Sequence, residues 1–319
     1  MTPTRRALPA VSLLLVLVTL VAGCGGGTTA TSGSTASAAA GITIKAGRFS
    51  WSAAQLQIEI LRAIAADHPE LGVKTIDDTQ LDVATAWTGL QRGDIDILPE
   101  VNLPNQQTYV DKTAADTELL SETYGGATQG WFVPRYLVEG PNAPAAGLTS
   151  VDQLEQYAAK VGGTLYDADP GWITTQQNTK RLAAYAPSLK HSTSSEAALI
   201  AQLDRSYSRK EPILLYFYHP HWLFQKYDLV QLTEPTPYTD GCFDTTGKCA
   251  IPTLSAHIAA RKDLQQRAPR FVSLLQHVSI PLTDIEAMQQ QVDVEKKPAK
   301  DVARAWVDAH ASAVTGWIG

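Results

Sequence analysis

Two histidines, His219 and His221, stand two residues apart in LLYFYHPHWLF (214–224), among five aromatic rings and around Pro220. On an extended chain they point to one side, as a zinc clamp requires. No third ligand follows nearby, and Pro220 makes the local conformation a turn rather than a clean strand. The rings are read instead as core or as one wall of a ligand pocket. Tyr216 and Tyr218 share a face of a regular strand and Phe217 points away from them, into the interior. Asp94 and Asp96 in GDID also share one side of a strand. A hydrolase needs two acids across a cleft with displaced pKa values; these two are adjacent, and are read as solvated or as capping a turn. Neither G-x-S-x-G nor H-E-x-x-H occurs.

The elements that must position these groups follow a simple alternation. ITIKAG (42–47) reads as a strand, and Leu56, Ile60, Leu61 and Ile64 then fall at helical spacing. GVKTID is a second strand. Val83, Trp87 and Leu90 mark a second helix that Gly93 stops, and IDIL begins a third strand. This β-α-β-α-β opening predicts a parallel, right-handed α/β layer. The pattern resumes with GWFVPRYL as a strand, then a helix over TSVDQLEQYAAKV with a capping box from Ser150 and Gln153. GTLYDA is a strand running into DPGWITT, and helices follow at about 175–186 and over SSEAALIAQLDRSY. PILLYFY has the apolar run of a buried strand, and helices fill the last quarter. Trp87, Trp306 and Trp317 are expected to pack in cores, and Trp222 to be core or hinge packing. Two α/β lobes, with the chain crossing near 126–132 and 248–254, would produce this order, and the cleft between them is a default ligand site.

The ends bound the compartment. Arg5 and Arg6 precede the apolar run LPAVSLLLVLVTLVAG, which has the length of a signal peptide and stops at VAGC. Small residues before Cys24 resemble the bacterial lipobox, so residues 1–23 are expected to be a lipoprotein signal peptide and Cys24 the lipidated first residue. Residues 24–41 are rich in Gly, Ser, Thr and Ala and carry no charge, as a flexible tether does. The expected location is the outer face of a bacterial cell membrane. Removing Arg5 and Arg6 takes the net charge from −6 to about −8. Without a basic stripe, nucleic acid is not an expected partner. Cys242 and Cys249 flank FDTTGK in an exported chain, where a short disulfide pinning a turn is expected. TGK there is no phosphate loop: Gly241 lies one residue too far away, and Cys249 replaces the required Ser or Thr. No cofactor or metal is expected, and the body is expected to be a monomer.

PILLYFYHPHWLFQKYDLVQL, with its aromatic, x-Pro-x-Trp and YDL, resembles the substrate-binding proteins of ABC importers for glycine betaine, choline and carnitine. RGDIDILPEVNLPNQQTY, GGATQGWFVP, DPGW, AIPTLSAHIAARKDLQQRAP, IPLTDIEAMQ and WVDAHASAVTGWIG are similar to successive segments of that family, in order over 42–319. The resemblance implies a type II periplasmic-binding-protein fold. It places lobe 1 in 42–128 and 253–319 and lobe 2 in 129–252, closing over a solute for delivery to an ABC permease driven by its ATPase. A quaternary ammonium cannot donate hydrogen bonds, so recognition comes from converging ring faces and methyl contacts. A ligand carboxylate wants backbone N–H groups nearby.

Carried over residue by residue, the family's loop tryptophan is met by Trp172, and the backbone N–H groups that follow by Ile173 and Thr174. Tyr218 stands where many members have tryptophan. Asn102 replaces another cage tryptophan, and Gln106 replaces a histidine, so one wall is polar. Trp51, Arg48 with the Gly47 backbone, Tyr109 and His221 are further candidates at the cleft. The altered wall leaves a different small polar or aromatic ligand open, and a surface hydrolase or metal-dependent enzyme is the alternative of another class.

Overall fold

The computed structural model describes residues 41–319. The expected signal peptide, Cys24 and almost all of the tether lie outside the described residues.

Ten strands form two five-stranded mixed sheets: β1 Ile42–Arg48, β2 Val73–Gln80, β3 Ile97–Leu103, β4 Thr117–Ala127, β5 Gln129–Pro134, β6 Thr164–Asp167, β7 Lys190–Thr193, β8 Leu214–Tyr218, β9 Leu229–Gln231 and β10 Leu254–Arg261. The first sheet runs β2-β1-β3-β10-β4 and the second β7-β6-β8-β5-β9. β1 is parallel to β2 and β3, as the opening alternation requires, whereas β10 lies antiparallel between β3 and β4. Thr128 alone separates β4 in one sheet from β5 in the other; the chain returns through residues 232–253 into β10.

The elements form where the apolar spacing puts them. In the helix Ser52–Asp67 the face carrying Leu56, Ile60, Leu61 and Ile64 is sealed against the first sheet. Burial of such a side chain is worth about 1.5–3 kcal/mol. Helix Val83–Arg92 starts on Asp82, whose carboxylate accepts the Thr85 N–H, and ends at Gly93 in the left-handed region, φ 85°. That stop aims the chain into β3. A second core gathers Trp131, Leu165, Leu203, Leu214 and Phe217 around the second sheet.

One expected helix differs. TSVDQLEQYAAKV begins with the capping box of Ser150 and Gln153, but breaks into three short pieces, Val151–Gln153, Leu154–Tyr157 and Ala158–Val161. Only Val151, Leu154 and Val161 are buried along it, too narrow an apolar stripe to hold a continuous helix down. Asp96 also departs from expectation. It is buried, accepts the Lys45 N–H at 2.8 Å and pairs with Arg267, while Asp94 stays exposed. Cys242 and Cys249 are disulfide-bonded.

Candidate functional site

The cavity that gathers most of the sequence candidates lies between elements of the two sheets, and three short segments build each wall. On the first-sheet side, Glu100 and Asn102 are two apart on β3 and so share a face. The register sets Asn102 and Tyr124 on either side of Ala256 of β10, which brings β4 to the same wall. Trp51 caps the start of helix Ser52–Asp67. On the other side, Trp172 precedes helix Ile173–Tyr185, so Ile173 and Thr174 present that helix's first N–H groups, which have no intrahelical acceptor. Tyr216 and Tyr218 alternate along β8. Gln129, where β5 begins, closes the base.

Three rings converge at the mouth. Trp51 and Trp172 meet edge to face, centroids 5.5 Å apart at 85°, and Trp172 and Tyr218 lie 5.9 Å apart at 64°. Trp172 is anchored by its Nε1–H, which donates to Ser50 Oγ at 3.1 Å. The Tyr218 hydroxyl donates to Glu196 Oε2 at 2.8 Å, and burial pushes its pKa well above the ordinary value, with the neighbouring carboxylate adding to the effect. The ring is therefore a neutral, fixed face. Asn105 Nδ2 donates to Thr174 Oγ1 at 2.9 Å, and Thr174 Oγ1 donates to Gln129 Oε1 at 3.1 Å. The Tyr216 hydroxyl donates to the same Gln129 oxygen at 2.7 Å. The Asn105 bond, like that of Trp172 to Ser50, crosses between the walls, and the two bonds to Gln129 brace the second.

Glu100 is the one carboxyl in the lining. It is 2 % exposed. Trp51 Nε1–H and the Tyr124 hydroxyl donate to Oε1 at 2.8 and 2.6 Å, and Gln57 Nε2–H donates to Oε2 at 3.0 Å. Burial pushes its pKa up to about 7, against these hydrogen bonds, which pull it down. His219 also lines the cavity; burial lowers its pKa, with His221 adding to the shift, so it is neutral at pH 7.

Trp172, Tyr218, Ile173, Thr174, Trp51, Asn102 and Gln106 are brought together around this cavity. Gln106 is held from behind, its Oε1 accepting the Trp87 Nε1–H at 2.7 Å. Four other candidates are not brought there. Arg48 sits where β1 pairs with the edge strand β2, and its guanidinium turns to Asp78 at 2.6 Å and Gln80 at 3.1 Å. Gly47 does not line the cavity either, and it is paired in the sheet with Thr79 of β2. Tyr109 stacks on Trp87, 6.2 Å away, behind the wall. His221 is fully buried beneath Tyr218, with Nε2 3.3 Å from Glu196 and Nδ1 accepting the Leu223 N–H. The turn at Pro220 sends the two histidines apart, and the one in the lining is His219. Trp222 is buried in the second core and does not line the cavity.

Sequence reasoning missed Glu100, Tyr124, Asn105, Gln129 and Tyr216. Glu100 had a signal: an acid inside the strand ILPEVNL, among residues that must be buried. Tyr216 had one too, since it shares a strand face with Tyr218. Gln129 and Tyr124 had none, because their placement depends on how β4 and β5 cross between sheets. Among the described residues no group of three or more His, Cys, Asp or Glu could hold a metal ion, and no helix is long and apolar enough to cross a membrane.

Comparison with known proteins agrees with this architecture. A family model described as the substrate binding domain of ABC-type glycine betaine transport systems matches residues 42–309. The chain is 23 % identical over 275 residues to the glycine betaine-binding periplasmic protein OusX of Dickeya dadantii, covering 78 % of this chain and 81 % of that one. It is 23 % identical over 274 residues to the glycine betaine/proline betaine-binding periplasmic protein of Escherichia coli, covering 78 % and 82 %. Among solved structures, lactococcal OpuAC in its closed form with glycine betaine superposes with a TM-score of 0.72 at 23 % identity, over 87 % of this chain and 99 % of that one. An ABC-transporter choline binding protein in complex with choline gives 0.72 at 18 % identity, over 86 % and 91 %. The fold is that of the type II periplasmic binding proteins.

Proposed function

The chain belongs to the family of substrate-binding domains of ABC-type glycine betaine transport systems, and on that premise we propose that it binds a quaternary ammonium solute among Trp172, Tyr218 and Trp51 and hands it to a membrane permease. Binding, not catalysis, is the activity of this family. The observation that carries the reading is that Trp172 lies within 6 Å of both Trp51 and Tyr218, each at a steep angle, so that the three rings line one side of the cavity together. Such an arrangement attracts a cation through ring quadrupoles without asking it for a hydrogen bond. The first N–H groups of helix Ile173–Tyr185 supply the place for an anionic end.

Residues 42–128 with 253–319 act as one lobe and 129–252 as the other, closing by a hinge at the crossing strands. Cys24, outside the described residues, carries lipid, and residues 24–41 tether the monomeric body to the outer face of the cell membrane, within reach of a permease and its ATPase. The relatives named as periplasmic support an extracytoplasmic place. Asn102 opens the alternative of a different small polar or aromatic ligand in the same transport role. It lies beside Glu100, to which it is a further hydrogen-bonding neighbour.

Calorimetry with choline, glycine betaine, carnitine and proline betaine tests the reading. Trp172→Ala and Tyr218→Ala should each weaken binding about 30-fold, the order expected of a desolvated cation–π contact, with the fold retained. If both variants bind as the unaltered protein does, the ring assignment is wrong.

A further inference from the structure

We propose that Glu100 is the counter-ion of the bound solute's cationic group, and that it favours quaternary ammonium compounds of net positive charge over zwitterionic ones. The proposal rests on the reading of the cavity as a quaternary ammonium site and adds an electrostatic selectivity that rings alone do not supply.

Among the described residues the other buried carboxyls, Asp96 and Asp167, and the partly buried Glu234 meet a basic partner inside the protein. Asp96 has Arg267, Glu234 has Arg181, and Asp167 has His191 at 2.8 Å. Glu100 is as buried as these, yet Trp51, Gln57 and Tyr124, which hold it, are all neutral donors. Among the described residues it makes no ion pair, and neither Lys nor Arg lines the cavity. The titratable groups that share the lining with it are Tyr124 from β4, Tyr218 from β8 and His219 just after β8; both tyrosines keep their protons because burial raises them, and burial lowers His219, which favours its neutral form. His257 of β10, paired in register with Val101, turns instead to Ser255 at 2.8 Å and toward Glu122.

A buried carboxylate without a countercharge is expensive, and a cation seated in the cavity supplies what the protein omits. A quaternary ammonium suits this position because it has no N–H to compete with the three donors already on the carboxylate. A zwitterion brings a second carboxylate into a lining that offers it helix N–H groups and amides but no cation. Cation binding also draws Glu100 toward its ionised form. Because burial pushes the group up to about 7, the affinity for a cation should rise about tenfold from pH 6 to pH 8 as the carboxyl loses its proton.

Titration calorimetry with choline and glycine betaine at pH 6, 7 and 8, in two buffers of different ionisation heat, tests this without a variant. The expected results are tighter binding of choline than of glycine betaine at pH 8, about tenfold gain for choline between pH 6 and 8, and proton release near pH 7. E100Q should flatten the pH dependence and remove the preference while the rings still hold both ligands. Choline binding in the unaltered protein that ignores pH, equal or better binding of glycine betaine at pH 8, or an E100Q variant that keeps the preference each overturns the proposal alone. Failure of both ligands to bind at every pH overturns the quaternary ammonium reading itself.

Discussion

Each sheet buries a charged side chain in a polar cluster, and the two clusters are built on opposite plans. In the second, Arg181 is fully buried and every part of its guanidinium is answered by protein. It pairs with Glu234, donates to the Cys249 carbonyl and Asn178 Oδ1 at 3.0 Å each, and lies 4.3 Å from the Trp131 ring centre. Asn178 passes the network on to Asp167, which holds His191. In the first, Glu100 is held by neutral donors alone and faces the cavity. A charge answered from within stabilises the fold it sits in. A charge left unanswered destabilises it until something from outside arrives.

The sharpest way to break this contrast is Arg181→Met. It leaves Glu234 buried without its cation and should cost about 3–5 kcal/mol in denaturant unfolding. Choline affinity of the folded protein should be unchanged, since Arg181 does not line the cavity; a small stability loss would show that the two clusters are not opposites. Glu100→Gln should act in the reverse direction. The folded protein holds the Glu100 proton up to about pH 7, above the ordinary 4.5. Glu100's contribution is therefore whole below about pH 4.5 and lost as pH rises to 7. At pH 8 the ligand-free variant should be more stable by on the order of 3 kcal/mol, and near pH 4.5 the difference should vanish. Thermal melts at both pH values check the sign, and a destabilised variant at pH 8 would contradict it. The smallest effect is expected where the disulfide backs the closed cluster through the Cys249 carbonyl. Replacing Cys242 and Cys249 together by Ser should lower stability by about 2 kcal/mol, the loop-closure value for so short a ring. A loss comparable to that of Arg181→Met would mean the bridge positions the guanidinium rather than only shortening the unfolded chain.

The same contrast explains what was legible in the sequence. The apolar periodicity that forms the two cores also spaces the helices and strands, so the order of elements could be read along most of the chain. The ring positions Trp172 and Tyr218 sit at the edges of regular elements, beside Pro and Gly punctuation that marks turns. Arg48 was legible as the residue just past the first strand, but not the carboxylate of Asp78 on the neighbouring edge strand, which captures it. Tyr109 was legible as an aromatic candidate at the cleft, but not the stacking on Trp87 that holds it behind the wall. The Glu100 cluster draws Trp51 and Gln57, Glu100 itself and Tyr124 from three separate stretches, and only the crossing of β4 beside β10 assembles it. Long-range pairing of that kind leaves no local periodicity to detect.

The edge-to-face pair at the mouth has an optical consequence. Indole emission responds to the charge and polarity around the ring, and Trp51 and Trp172 are two of only seven indoles in the chain. The remaining five do not line the cavity, although Trp87 stands just behind it on Gln106. One of the responsive pair donates its N–H to the very carboxylate that faces the cavity, and the other bonds across to Ser50. The protein thus carries a built-in fluorescent gauge of what occupies its cleft, readable without a dye or a label.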